Sequence, residues 1–185
     1  MNLIKKIKKM NNQNIKIDEF KFCILVFMFC GVFGFFVEEI YDTLYNLDID
    51  KNGFLYGFFL PIYAWGGIVI HLISKKTRKN PVLTFIIIAL FAAIFEYLSG
   101  YIIFKIWGKM YWNYSNYFLN LNGYICLFSV LAFALLGIFY VYVIEPIIKF
   151  IVNKTDEKKI DLYIKVFLIG YLIDNIFSFL IKNKF

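Results

Sequence analysis

The sequence is short of the residues from which soluble active sites are usually assembled. It has one histidine, three cysteines and three prolines in 185 residues. His71 has no cysteine or carboxylate near it in sequence, so it reads as an interfacial residue and not a metal ligand. Cys23, Cys30 and Cys126 all sit in apolar stretches. No two have C-x2-C spacing, and an odd number argues against a disulfide framework, so they read as buried free thiols. No G-x4-G-K-[ST] run occurs, which excludes ATP hydrolysis by a P-loop. H-E-x-x-H and G-x-S-x-G are absent too. The expectation is a chain with no catalytic centre, no metal and no cofactor of its own. Charge is also scarce, at 18% of residues against about 25% in soluble domains.

Apolar residues fill the gap. They make up 61% of the chain, aromatics 22%, and mean hydropathy is +0.68. Soluble domains are about 45–50% apolar, and a chain this small could not cover so much apolar surface with polar groups in water. In lipid the same side chains can face outward. The sequence therefore predicts an all-α, multi-pass transmembrane helix bundle of about five spans, following a basic arm at residues 1–19. The bundle covers 20–182, with spans near 20–45, 54–73, 82–107, 124–148 and 162–181. Each meets the requirement of about 20 residues at about 1.5 Å rise.

Net charge is +7. Because the lysines lie in short runs between apolar stretches, they read as topogenic signals and contacts to anionic headgroups, with the lipid bilayer as partner and no nucleic acid. The arm, the 75–79 loop and the 149–165 segment are basic, whereas the 46–53 turn and the 108–123 loop hold only Lys51 and Lys109. By the positive-inside rule the basic segments are cytoplasmic, and so is the N-terminus. Lys182 and Lys184 run against this scheme, which a half-inserted last helix would resolve. The arm itself reads equally as a short amphipathic surface helix or as a charged tail. Tyr111, Trp112, Tyr114, Tyr117 and Phe118 suit a membrane–water interface.

Ionisable residues within apolar segments carry the most information, since a charge in hydrocarbon costs at least about 2.5–3.5 kcal/mol. Glu38, Glu39 and Asp42 lie late in the first span, Glu96 near the middle of the third, and Asp174 past the middle of the last. Glu38 and Asp42, four apart, share a helix face. Together the five would line a polar cavity suited to a cation, a proton relay or a cationic group on a substrate. The alternative is structural: pairing with Lys105 or Lys109, or hydrogen bonds across helices to Tyr, Asn and Ser. Glu145-Pro146 reads as an interfacial helix break. In the second span Gly53 and Gly57 permit close helix approach, and Pro61 should kink or break the helix, freeing backbone groups that can line a cavity.

The run from Gly53 to Gly66, G-F-L-Y-G-F-F-L-P-I-Y-A-W-G, resembles G-F-L-Y-G-P-F-C-P-I-Y-G-F-G. That signature belongs to a bacterial family labelled putative ABC-transporter permease, type IV, or CmpB-like. Gly53, Tyr56, Gly57, Pro61 and Tyr63 carry this part of the likeness. Phe95-Glu96-Tyr97 resembles an L-E-Y element, and Tyr111-Trp112-Asn113-Tyr114-Ser115 resembles W-W-D-Y-S. Asn120-Leu121-Asn122-Gly123-Tyr124-Ile125-Cys126-Leu127 resembles N-L-N-G-R-I-C-L, and Gly34 to Tyr41 a first-span G-x3-E pattern. Asn52, Asn113 and Tyr124 stand where the family has Arg, Asp and Arg, and Lys105 where it has a glutamate, so the chain is similar to the family as a divergent member. The resemblance implies a bacterial cytoplasmic membrane and a transport-related, permease-like subunit, with homo-oligomerisation or a separate ATPase subunit supplying the motor. The alternative reading is a non-transport envelope or lipid-binding protein, or a small intramembrane enzyme using the outer carboxylates.

Overall fold

A computed structural model describes residues 15–45 and 54–182. The basic arm up to residue 14, the 46–53 turn with Gly53, the Asp42 side chain and the residues after 182 lie outside the described part.

Helix α1 (Glu19–Tyr45) starts where the Asp18 carboxylate accepts the Lys21 N–H at 2.8 Å, the N-cap bond that satisfies an otherwise orphaned donor. Helix α2 (Pro61–Thr77) is 17 residues long. Helix α3 (Pro81–Trp107) is capped by Asn80 and ends at Gly108, whose φ of 67° closes the last turn. Helix α4 (Leu127–Phe139) opens with a reciprocal cap between Cys126 and Ser129. It runs through a π turn at Tyr140–Ile144 into α5 (Glu145–Lys154). Helix α6 (Glu157–Lys182) follows Asp156, whose carboxylate accepts the Lys158 N–H at 2.8 Å.

Among the described residues there is no strand, only an isolated bridge between Leu121 and Ile125. Among these residues four helical stretches are long and apolar enough to cross a membrane: Glu19–Tyr41, Pro81–Trp107, Leu127–Lys154 and Glu157–Ile181. Between 11% and 33% of their most apolar windows is buried, so most of that surface is left for an apolar surrounding. The last of them is one unbroken helix.

The stretch expected to be helical from 54 to 73 differs. Its helix begins at Pro61 and continues to Thr77, with 54–60 irregular. Proline lacks an N–H and disfavours helix in the residue before it, which makes it a natural first helical residue. Glu145-Pro146, in contrast, does not break its helix. The rod absorbs the missing Pro146 donor by widening to a π turn just before it, and both residues are buried.

The described residues form two compact units: one holds 69–147, the other the described parts of 12–68 and 148–185. The division falls within α2 and within α5. In the second unit α1 packs against α2 and the irregular stretch through small residues. A Cβ on Gly31 would sit 2.1 Å from the Phe59 ring, one on Gly34 2.2 Å from Tyr63, and one on Gly67 2.4 Å from Cys30 Sγ. The chains approach closely because these positions have no side chain. Phe27, Leu55, Phe59 and Ala64 form the core, with Phe167 and Tyr171 of α6 against it. In the first unit α3 packs on α4, where Gly137 lets Ile88 approach to 2.7 Å of an ideal Cβ.

Candidate functional site

The second unit has irregular backbone beside the middle of an apolar helix. The Leu60 N–H donates to the Gly31 carbonyl, 2.9 Å away and halfway along α1. In hydrocarbon such backbone must find internal partners. Asp174 of α6 supplies them: its carboxylate accepts the Tyr56 N–H at 3.0 Å on one oxygen and the Gly57 N–H at 2.9 Å on the other. The Ser178 hydroxyl, one helical turn on, lies 3.2 Å from Asp174 Oδ1 and 3.1 Å from the Tyr56 nitrogen. Gly57 is required here, since a Cβ would lie 2.7 Å from Asp174 Oδ2. Two signature positions of the 53–66 run, Tyr56 and Gly57, are thus the donors of a carboxylate clamp.

An open groove of about 710 Å³ adjoins the clamp. Its walls come from α1 at Val32, from Tyr56 to Phe59, and from α6 between Phe167 and Ile181, with Asp174 as the one carboxylate.

Two other sequence-chosen acids lie in this unit. Glu38 accepts a hydrogen bond from the Tyr63 hydroxyl, so the G-x3-E pattern of α1 meets the P-I-Y element of α2, with Gly34 making room for the tyrosine ring. Glu39 is half-buried, and its carbonyl accepts the Thr43 hydroxyl at 2.7 Å. Lys21 pairs with Glu157 at 3.0 Å and Asp161 at 2.8 Å. Lys16 bonds to Asn153 and the Thr155 carbonyl. The start of α1 and the charged 153–161 stretch therefore share one end of the unit.

In the first unit Glu96 is buried and lies 2.9 Å from the Ser129 hydroxyl of α4, an interhelical polar contact of the kind expected in apolar surroundings. The asparagines of the 108–126 loop fold it on itself. Asn113 accepts from the Ser115 N–H and hydroxyl at 2.9 and 2.6 Å. Asn120 donates to the carbonyls of Ser115 and Tyr117 at 3.0 and 3.1 Å. Asn122 reaches the Tyr97 hydroxyl at 3.0 Å, and the Trp112 indole donates to the Tyr124 carbonyl at 2.9 Å. Gly123 has φ of 73°, and a Cβ there would meet Ser115 and Asn113. The Tyr114 N–H donates to the Gly123 carbonyl at 2.8 Å. This bond brings the Asn113 and Tyr124 stretches together.

Sequence reasoning missed a cluster at the opposite end of α3. Glu145, fully buried, accepts from Arg78 Nη2 at 2.7 Å and lies 3.4 Å from His71 Nδ1. Arg78 Nη2 also donates to the Ser74 hydroxyl at 2.9 Å, and the Tyr142 hydroxyl donates to the Arg78 carbonyl at 2.9 Å. His71 thus does have a carboxylate beside it, 74 positions along the chain, beyond the reach of local pattern. A usable signal was present: Arg78 is the chain's one arginine, and Glu145 the one acid in the long apolar stretch around it.

Among the described residues, four helical stretches apolar enough to cross a membrane, with close glycine contacts and interhelical hydrogen bonds inside each unit, are the build of an α-helical membrane protein. The chain belongs to the family described as "Putative ABC-transporter type IV", whose model matches residues 25–179. Family and helices together mark it as a transport-related membrane protein. No curated protein and no solved structure matches it.

Proposed function

We propose that the chain is a permease-like subunit, crossing the cytoplasmic membrane of a bacterium several times and working with a separate ATPase. The observation that carries this reading is the irregular stretch at 54–60. Non-helical backbone beside the middle of apolar helices is typical of transporter binding sites, where it recruits polar groups that helices keep to themselves. Family membership supports the same reading. The chain has no P-loop, so the energy comes from a partner, and no covalent chemistry is assigned to it.

The test is affinity purification of the tagged full chain from its native membrane in mild detergent. We expect an ATPase subunit in fixed ratio and ATP hydrolysis that Asp174→Asn reduces. A chain that emerges with no ATPase overturns the reading. A second reading, lipid binding without transport, draws on the apolar groove beside α6. Phospholipid retained in fixed ratio and no ATPase would favour it.

A further inference from the structure

The groove beside Asp174 has the chemistry of a receptor for a lipophilic organic cation. Aromatic rings dominate its walls: Phe58 and Phe59 from the irregular stretch, Phe167, Tyr171 and Phe177 from α6. Ring faces attract organic cations, more strongly where water is excluded. Phe59 and Tyr171 lie 5.0 Å apart between centroids, with Phe167 5.5 Å from Phe59, so three rings form a contiguous wall.

The one acid in that wall is compensated by dipoles only. Three donors converge on Asp174, from Tyr56, Gly57 and Ser178. A carboxylate offers about four lone-pair positions. Among the described residues no lysine or arginine pairs with it. Lys21 and Arg78, by contrast, are each matched to acids elsewhere. Asp174 therefore directs negative potential into an aromatic groove within a stretch apolar enough to cross a membrane.

Size and access agree. About 710 Å³ lies inside the range of about 300–1,000 Å³ that holds drug-sized ligands. The groove is open along α6, where Ile173 and Phe177 are 51% and 57% exposed and a Cβ on Gly170 would meet nothing within 4 Å. A molecule dissolved in the surrounding hydrocarbon could enter sideways.

We propose that this groove binds a bulky, delocalised or quaternary organic cation, with the charge held against Asp174 and the apolar groups against the rings. The proposal gives the groove a ligand class and does not require that the ligand be transported. A chain that binds the cation yet purifies without an ATPase keeps this inference and loses the preceding one.

The test uses the full chain in phosphatidylcholine nanodiscs with radiolabelled tetraphenylphosphonium. Tetraphenylborate, of like shape and opposite charge, is the control. We expect saturable binding of the cation at one per chain and none of the anion above empty discs. Gly170→Leu fills open space, so the protein should stay folded while affinity falls at least tenfold. Asp174→Asn should lower affinity for the cation at least tenfold. Should that variant not fold, Gly170→Leu and Phe177→Ala, each judged with its thermal midpoint, decide the matter. Unsaturable uptake, equal binding of both ions, or affinity indifferent to Gly170→Leu in a folded protein overturns the proposal.

Discussion

At the scale of single residues, the glycines separate into those that need their missing side chain and those that do not. Gly57 faces the Asp174 carboxylate, whereas Gly66, within α2, has nothing within 4 Å of an ideal Cβ. Gly57→Ala should push the clamp apart and cost about 1.5–3 kcal/mol, the worth of a hydrogen bond to a charged group. Gly66→Ala should stabilise by up to about 1 kcal/mol, because alanine loses less freedom in a helix. Thermal midpoints of the two variants in one detergent should move in opposite directions. The Arg78–Glu145 pair makes a second case. Arg78→Met removes the cation 2.7 Å from a fully buried carboxylate and should cost about 3–5 kcal/mol. Adding Glu145→Leu removes the buried charge as well, so the double variant should melt above the single one. Additive losses would show that the pair is not coupled.

Among elements, the feature that matters most is an absence of helix. Residues 54–60 are kept irregular by partners on two other elements, Gly31 on α1 and Asp174 on α6. Asp174→Ala should release the amides of Tyr56 and Gly57, and hydrogen exchange there should rise at least tenfold, about 1.4 kcal/mol of lost protection. Exchange in the first turn of α3, capped independently by Asn80, should not change. The apolar runs made the long helices legible in the sequence, since a continuous hydrophobic stretch leaves few other choices. Pro61 signalled an interruption, but pattern alone could not show that the seven residues before it stay unwound, because their partners lie far along the chain. The same limit applies to the acids. Glu38, Glu96 and Asp174 stood out as charges in apolar runs, yet the structure gives each its own partner, Tyr63, Ser129 and the 56–57 backbone. Glu145, next to a proline, reads locally as a boundary residue, because its cation lies 67 positions away.

For the molecule as a whole, the lysines make a claim about sides. Lys16 and Lys21 meet the 153–161 stretch at one end of their unit. Cysteines introduced at 16 and 158 in a cysteine-free chain should react with an impermeant maleimide from the same face of sealed vesicles, and one at 116, in the aromatic loop, from the other. Labelling of 16 and 158 from opposite faces would require the arrangement to be redrawn. The clamp also has a bearing on how the protein is made. Gly57 and Asp174 are separated by 117 positions, so when the ribosome releases the first helices, the amides of Tyr56 and Gly57 have no acceptor yet. The stretch can complete these hydrogen bonds only once the final helix has emerged. Chains cut short before Asp174 should accordingly be cleared by membrane proteases far faster than the full-length product, and pulse–chase turnover would reveal the last helix as the step that completes assembly.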